Sequence, residues 1–565
     1  MRIIRLNERV HLMSSVNYES LISDSLEEAN ISIVRVDERS FPGERWFVVW
    51  VGEDSLVTAQ SLAGSIEQRL NDVSDVANQS LVVTFRPHRA EEKKDSEPES
   101  KRGLSGPKID QLIQLLEARS RTSDALPSLK YMEDPRASLA AIGASRHHLV
   151  YGRRGVGKTA LLLEAKRSAE KDGHVTAWVN AHPLRLLNVA SAFLAIAEVT
   201  LNSLIQHAGS SQGESYSRLK EINSRVAQLR ASGPVIDAVL GEMVAELNRA
   251  LRAILREGLV RLYLYIDDFY LFPEIVQPQL LDCVAGMLRD CDGWIKIASI
   301  ERLTRPFEPS SRTGIEVPHD ASKIDLDVTL EDPQSTQRFL ESVLANYATT
   351  AGLAKPSTIA QSAALGRLVL ASGGVPRDYL NLFASSIVAA RSRPKAREIG
   401  RQDVANAANR AASSKKRDLE QDVSSRSAGS LLTALDCLSE EVRGAEYTYF
   451  RVDVSQKSHQ FYEVLGQLVD LRFAHLIQAT LSDQHKQGVK YEAYILDLSE
   501  YADVRLKRSL AILDLMDGKW SFRRSGTAGT QKPLPGTLLR DELRRAPVID
   551  LELLARKVAE RMGSA

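Results

Sequence analysis

Apolar and polar residues along this chain fall into alternating blocks that predict several separate cores. Ile31-Ser32-Ile33-Val34-Arg35-Val36 and Trp46-Phe47-Val48-Val49-Trp50-Val51 read as strands across a Pro42-Gly43 turn, with Leu81-Val82-Val83-Thr84-Phe85 as a third. Helical patterns over Tyr18 to Ala29 and Ser55 to Leu70 complete a small α+β domain across residues 1–88. It holds no catalytic motif, so docking or sensing is the expectation. Arg89 to Arg102 then carries almost no apolar side chain, which predicts a charged flexible linker over 89–107.

Beyond it the pattern alternates strand and helix, the signature of a parallel sheet covered by helices. A lead-in helix over Lys108 to Arg119 precedes a buried strand at His148-Leu149-Val150-Tyr151 and a helix beginning Ala160-Leu161-Leu162-Leu163. Further strands are His174 to Asn180, Leu262 to Ile266, Trp294 to Ile300 and Lys323 to Val328. Residues 190–257 form a helical insertion, broken near Gly209 to Gly213 and at Gly233-Pro234. Together these predict a core over 108–332 and a helical region over 333–425. Residues 426–502 resemble a winged helix: a first helix at Leu431 to Glu441, a recognition-type helix at Ser458 to Leu471, and wing strands at Phe473 to Ile477 and Tyr491 to Leu496. Residues 503–565 read as a helical tail ending in an amphipathic helix, Ile549 to Met562.

Composition adjusts this picture modestly. At 565 residues the chain exceeds one core, so three or four domains are expected. Lys plus Arg and Asp plus Glu both number 73, which excludes a wholly basic nucleic-acid coat but leaves local patches such as Lys415-Lys416-Arg417. Cys283, Cys291 and Cys437 form no C-x-x-C pair, which argues against zinc or a disulfide framework and fits a reducing compartment. No apolar run is long enough to cross a bilayer and Met1 to Glu8 lacks the apolar core of a secretion signal, so a cytoplasmic protein without membrane partners is expected.

The candidate chemistry begins at Gly152-Arg153-Arg154-Gly155-Val156-Gly157-Lys158-Thr159, which fits G-x-x-x-x-G-K-[ST] at every fixed position. Strand, glycine loop and helix start aim main-chain N–H groups and a positive dipole end at one anion. This makes Gly152 to Thr159 and Ala160 candidate ATP contacts, with Lys158 reaching the β- and γ-phosphates and Thr159 holding Mg²⁺. The strand Leu262 to Ile266 ends in Asp267-Asp268. Asp267 is the candidate Mg²⁺ ligand, through water, and Asp268 the candidate polariser of the attacking water. Ser299, closing the next strand, is a candidate contact to the γ-phosphate or that water. Arg302, or Arg305, is a candidate finger acting on a neighbouring copy, which would require an ATP-dependent homo-oligomer; a solvated loop charge is the other reading. In Gly373-Gly374-Val375-Pro376-Arg377 a cation stands at a helix start, where the dipole disfavours it; an anionic γ-phosphate would explain the placement.

From about residue 130 to 415 this set resembles AAA+ ATPases of the origin-recognition and initiator type, and the related STAND signalling ATPases. The resemblance implies Walker A at Gly152 to Thr159, Walker B at Asp267-Asp268, sensor 1 at Ser299, a lid over 333–425 with sensor 2 at Arg377, and a polar switch residue at Asn180. Asp268 stands where glutamate is usual, as among STAND proteins, and Ser299 where initiators often have asparagine. Both departures point to slow hydrolysis. In initiators a winged helix binds DNA; in STAND proteins it holds a switch closed. Here the recognition-type helix is flanked by Lys457, His459 and Arg472 but opposed by Glu463 and Asp470, a poor phosphate-binding set. That favours a protein partner or effector over DNA. Three functions stay open: an ATP-driven switch, a DNA-gripping initiator or loader, and a defence or mobile-element ATPase signalling to a separately encoded effector.

Overall fold

The computed structural model describes residues 18–41, 44–73, 80–88, 103–118, 131–208, 213–233, 235–394, 396–422, 425–502, 510–525 and 532–563. The Pro42-Gly43 turn, most of the charged linker and the helix breaks at 209–212 and Pro234 lie outside the described residues. The chain is a multidomain α/β protein that divides into two compact units, Met1–Glu99 and Ser100–Ala565.

The first unit comprises α1 (Tyr18–Glu27), β1 (Ile33–Phe41), β2 (Glu44–Gly52), α2 (Leu56–Val73) and β3 (Ser80–His88). β1 runs antiparallel to β2, and β3 parallel to it. Strand alternation sends Phe47, Val49, Val51, Leu81, Val83 and Phe85 to one face, where Ile22, Leu26, Ile66 and Leu70 cover them.

The second unit opens with α3 (Pro107–Ala118) and α4 (Ser138–Ile142), then β4 (His147–Tyr151), α5 (Lys158–Lys171) and β5 (Val175–Asn180). The insertion is three helices, α6 (Val189–Ala208), α7 (Glu214–Ala231) and α8 (Asp237–Gly258). β6 (Leu262–Asp267), α9 (Gln277–Leu288) and β7 (Gly293–Ser299) follow, with a small hairpin of β8 (Phe307–Glu308) and β9 (Thr313–Gly314), and then β10 (Ala321–Asp325). The five-stranded sheet has the order β10-β4-β7-β6-β5 and is parallel throughout. Two apolar layers cover it, one including Phe193, Leu264 and Leu281, the other Val150, Leu162 and Tyr265. Because β7 lies between β4 and β6, the ends of these three strands stand side by side, and every candidate of the phosphate loop, the acid pair and Ser299 falls there.

α6 departs from expectation. Its 20 residues are long and apolar enough to cross a membrane by length and composition. They pack instead against β5, α7 and α9, so the helix is apolar around most of its circumference because it is enclosed by protein.

The region expected to be a lid comprises α10 (Pro333–Thr350), α11 (Ser362–Ser372), α12 (Pro376–Arg391) and α13 (Arg401–Asp422), and is called the lid below. α3, placed by its sequence position with the ATPase core, packs on α10 and α12 and adds Ile109, Leu112 and Leu116 to their core. Next come α14 (Ser425–Gly444), β11 (Tyr449–Asp453), α15 (Gln460–Asp470), β12 (Ala474–Ser482) and β13 (Lys490–Leu496), the strands ordered β11-β13-β12 and antiparallel.

The tail is a correction to the sequence reading, which made it helical. After α16 (Ser499–Ala502) it builds a sheet of β14 (Ala511–Met516), β15 (Lys519–Arg524) and β16 (Lys532–Pro533) before α17 (Gly536–Arg545) and α18 (Leu551–Gly563). The β14–β15 turn is Asp517-Gly518, with φ of 49° and 70°, the left-handed pair that a two-residue hairpin demands. This hairpin locks onto the lid. Asp514 is buried and pairs with Arg367 at 2.8 Å and with Arg401, while the Gly518 N–H donates to Gln337 Oε1 at 2.7 Å. α18 packs on α14 and α15, so lid and C-terminal elements share one continuous apolar core.

Candidate nucleotide site

β4 delivers the chain into a loop whose glycines at 152, 155 and 157 have φ of 157°, 89° and 108°. At Gly155 there is also no space: a Cβ would lie 2.8 Å from Arg377 Cβ and 3.2 Å from Val375 Cγ1, so the lid rests directly on the loop. Val156 is buried beneath it, and α5 begins at Lys158 with Thr159 and Ala160 in its first turn.

Lys158 is buried, and its Nζ donates to Gly152 O at 2.7 Å and Arg153 O at 3.1 Å. Burial lowers its pKa to about 8, with the nearby carboxylates Asp268, Asp327 and Asp267 opposing. Thr159 Oγ1 donates to Asp267 Oδ2 at 2.8 Å, and Oδ1 of the same carboxylate accepts the Asp268 N–H at 3.0 Å. Burial, then the neighbouring Asp268, raises the Asp267 carboxyl above its ordinary range. A hydroxyl and a carboxylate in contact are hard oxygen donors that suit Mg²⁺, and a desolvated lysine beside main-chain N–H groups suits a polyphosphate. Asp268 itself is half-buried and holds a left-handed φ of 54°.

Ser299 is fully buried, in register with Tyr151 across β4 and β7, and its Oγ lies 2.5 Å from Thr304 Oγ1. Asn180 ends β5 in register with Asp267, and its Oδ1 accepts the His182 N–H at 2.9 Å. Arg154 stacks over Tyr270, just past the acid pair, at 5.5 Å. Arg377 is exposed, and its main-chain N–H donates to Gly155 O at 3.2 Å. Arg153 is buried and runs to the core–lid connection, where its Nε donates to Asp327 Oδ1 at 3.0 Å. Arg305 pairs with Glu308 on β8.

Arg302 meets α15. Its Nε lies 3.1 Å from Asp470 Oδ2 and its Nη1 donates to Glu463 O at 3.3 Å. The guanidinium occupies the space above Gly466, where a Cβ would overlap Nη2 outright. Contacts of the elements around α15 with the lid and its connection add to this. Arg472 pairs with Asp378 at 2.8 Å, Glu331 Oε1 accepts the Ala479 N–H at 2.7 Å, and the buried His475 ring sits against Gly373.

The structure thus gathers Lys158, Thr159, Asp267, Asp268, Ser299 and Arg377 around one loop, and ties Arg302 to a helix. Sequence reasoning missed Asp327, Tyr270 and Arg136. Asp327 carried one signal, an acid just past a strand end in the Ile324-Asp325-Leu326-Asp327 alternation.

Residues 137–285, from α4 through the acid pair into α9, match the model of the AAA ATPase domain family. This chain carries a P-loop AAA ATPase domain. The AAA domain's match covers β4, β5 and β6 but stops before β7 and the lid. Among solved structures, an Orc1 protein of Aeropyrum pernix in complex with DNA is 16% identical, over 69% of this chain and 95% of that one, with a TM-score of 0.34. Drosophila ORC bound to DNA is 14% identical over 70% of this chain and 100% of that one, at 0.28. A single-residue variant of Thermotoga maritima RuvB is 15% identical over 48% of this chain and 65% of that one, at 0.26. No curated protein matches the chain.

Proposed function

We propose that this protein is an ATP- and Mg²⁺-binding switch that hydrolyses ATP slowly and couples nucleotide state to the binding of a protein partner. The observation that carries this reading is the engagement of Arg302 with α15. The residue that would act on a neighbour's nucleotide is instead held within its own chain by Asp470 and a helix glycine. A helix interior disfavours glycine by about 1 kcal/mol relative to alanine, so Gly466 costs stability that the arginine contact helps to offset.

In this reading Lys158 exchanges its two loop carbonyls for phosphate oxygens. Thr159 and, through water, Asp267 would hold Mg²⁺, which would supply charge neutralisation at the phosphates, and Asp268 would polarise the attacking water and take its proton. Mg²⁺-ATP supplies the phosphoryl group and the charge that this site is built to meet. Aspartate is one methylene shorter than the usual glutamate, which supports slow turnover. Arg377, resting on Gly155, senses the γ-phosphate, and lid movement frees Arg302 from α15 for a second copy. Partner binding and ATP affinity are then reciprocally linked.

A protein partner is favoured over duplex DNA. Of the basic residues flanking α15, Lys457 is paired with Glu492 at 2.6 Å and Arg472 with Asp378. Phosphate contacts would have to break those pairs. Three free cysteines fit a reducing, cytoplasmic setting. The direct test is Lys158→Ala. Loss of a buried, hydrogen-bonded charge should weaken ATP binding by about 2–5 kcal/mol in calorimetry, and unchanged affinity would contradict the reading.

A further inference from the structure

Arg153 belongs to the phosphate loop by sequence, yet its side chain is engaged elsewhere. Its main-chain N–H and its Nε both donate to Oδ1 of Asp327, each at 3.0 Å. Its Nη2 donates to Val328 O at 3.2 Å and to Gly373 O at 3.1 Å. Asp327 and Val328 follow β10 on the way to α10, so they form the connection between core and lid. Gly373 ends α11 and opens the turn that presents Arg377. One buried guanidinium therefore holds the phosphate loop, the core–lid connection and the sensor turn at once.

Surrounding contacts make that junction stiff. Arg136 grips the same connection from the segment before α4, donating to Asp325 O at 2.6 Å and Asp327 O at 3.0 Å. At Gly374 a Cβ would collide with Val328 O, so the sensor turn sits against the connection without a side chain between them. The Arg377 N–H closes the circuit on Gly155 O. A planar fork with fixed donors can hold three acceptors in one geometry, which a lysine cannot. A buried charge that loses its partner is strongly disfavoured, so the loop cannot shift without Asp327 following or the pair breaking.

We propose that Arg153 and Asp327 are positioning residues that transmit the state of the phosphate loop to the lid, so that the chain distinguishes ATP from ADP. This rests on the ATP-binding reading above. Neither side chain touches the nucleotide; they set where Arg377 stands when the loop closes on phosphates.

The test uses the full-length chain and two variants. Asp327→Asn keeps the side chain's shape and removes its charge, and Arg153→Lys keeps the charge and removes the fork. Calorimetry gives the affinities for ADP and ATPγS, and hydrogen exchange reports on residues 371–379 with each nucleotide. In the unmodified chain ATPγS should protect the sensor turn more than ADP does. In both variants that difference should collapse, and the ratio of the two affinities should move towards unity by about fivefold or more. A merely structural pair would lower the melting temperature and weaken both nucleotides by one common factor; a preserved ratio and preserved lid difference therefore overturn the proposal. An unmodified chain that binds both nucleotides without distinguishing them overturns it too. An unmodified chain that binds neither overturns the ATP reading itself, which separates the two failures. If one variant does not fold, the other decides.

Discussion

Lys158 and Arg302 are both cations at the same end of one parallel sheet, but they are held in opposite ways. Lys158 is buried, and its partners are carbonyls five and six residues away in its own loop. Arg302 has 40% of its side chain exposed, and its partners lie on α15, about 160 residues further along the chain. The first arrangement forms whenever the loop forms. The second exists only while the C-terminal unit rests on the core. An exposed ion pair is worth about 0–1 kcal/mol, so the Arg302 contact alone is weak enough for a ligand to reverse. On the proposed reading the molecule thus combines an anion site that forms with its own loop and a latch that depends on a distant helix.

Two perturbations separate these regions. The larger acts on Lys158 through pH. Its folded pKa, about 8, lies below the ordinary 10.5, because burial penalises the charged form. A phosphate requires that charge, so ATP affinity should be flat below pH 8 and fall by up to about tenfold per unit above it. The apo fold has the opposite sign. Its unfolded chain binds more protons between about 8 and 10.5, so this group makes stability rise with pH across that window. Calorimetry in buffers of different ionisation enthalpy would measure the proton uptake; an affinity that stays constant well above the folded pKa would break the contrast.

The smaller perturbation is Gly466→Ala. The added methyl overlaps the end of a flexible arginine rather than main chain, so the helix should survive and gain about 0.5–1 kcal/mol of intrinsic propensity. Arg302 should be expelled, and the opening of α15 should become severalfold easier, as expected for losing a contact of about 1 kcal/mol. Trypsin sensitivity near α15 would report it, and unchanged sensitivity would show that the latch lies elsewhere.

The same contrast explains what was legible in the sequence. Walker A could be read because its work is local: glycines at fixed spacing, then a lysine and a hydroxyl at a helix start. Asp267 was legible because an apolar strand ending in acids is a local pattern too, and the strand order put it beside Thr159. The Arg302 contact was not legible, since nothing near residue 302 names Gly466 or Asp470 as its partners. The Arg153 side-chain contacts were not legible for the same reason. Its place in the motif speaks only to the loop, whereas its burial and its bonds to Asp327 and Gly373 depend on the packing of residues far along the chain. The tail was misread through a neglected local signal, Asp517-Gly518 between two apolar strands. α6 shows the reverse error, an apolar stretch whose length was underestimated because its burial is a property of the surrounding helices.

On the proposed reading, ATP binding at Lys158 releases α15 from Arg302. Hydrogen exchange over residues 460–470 with and without ATPγS measures this directly, in the unmodified chain and in Lys158→Ala. ATPγS should speed exchange on α15 in the unmodified chain and have no effect in Lys158→Ala. Equal exchange with and without ATPγS in an unmodified chain that binds the nucleotide would contradict that reading.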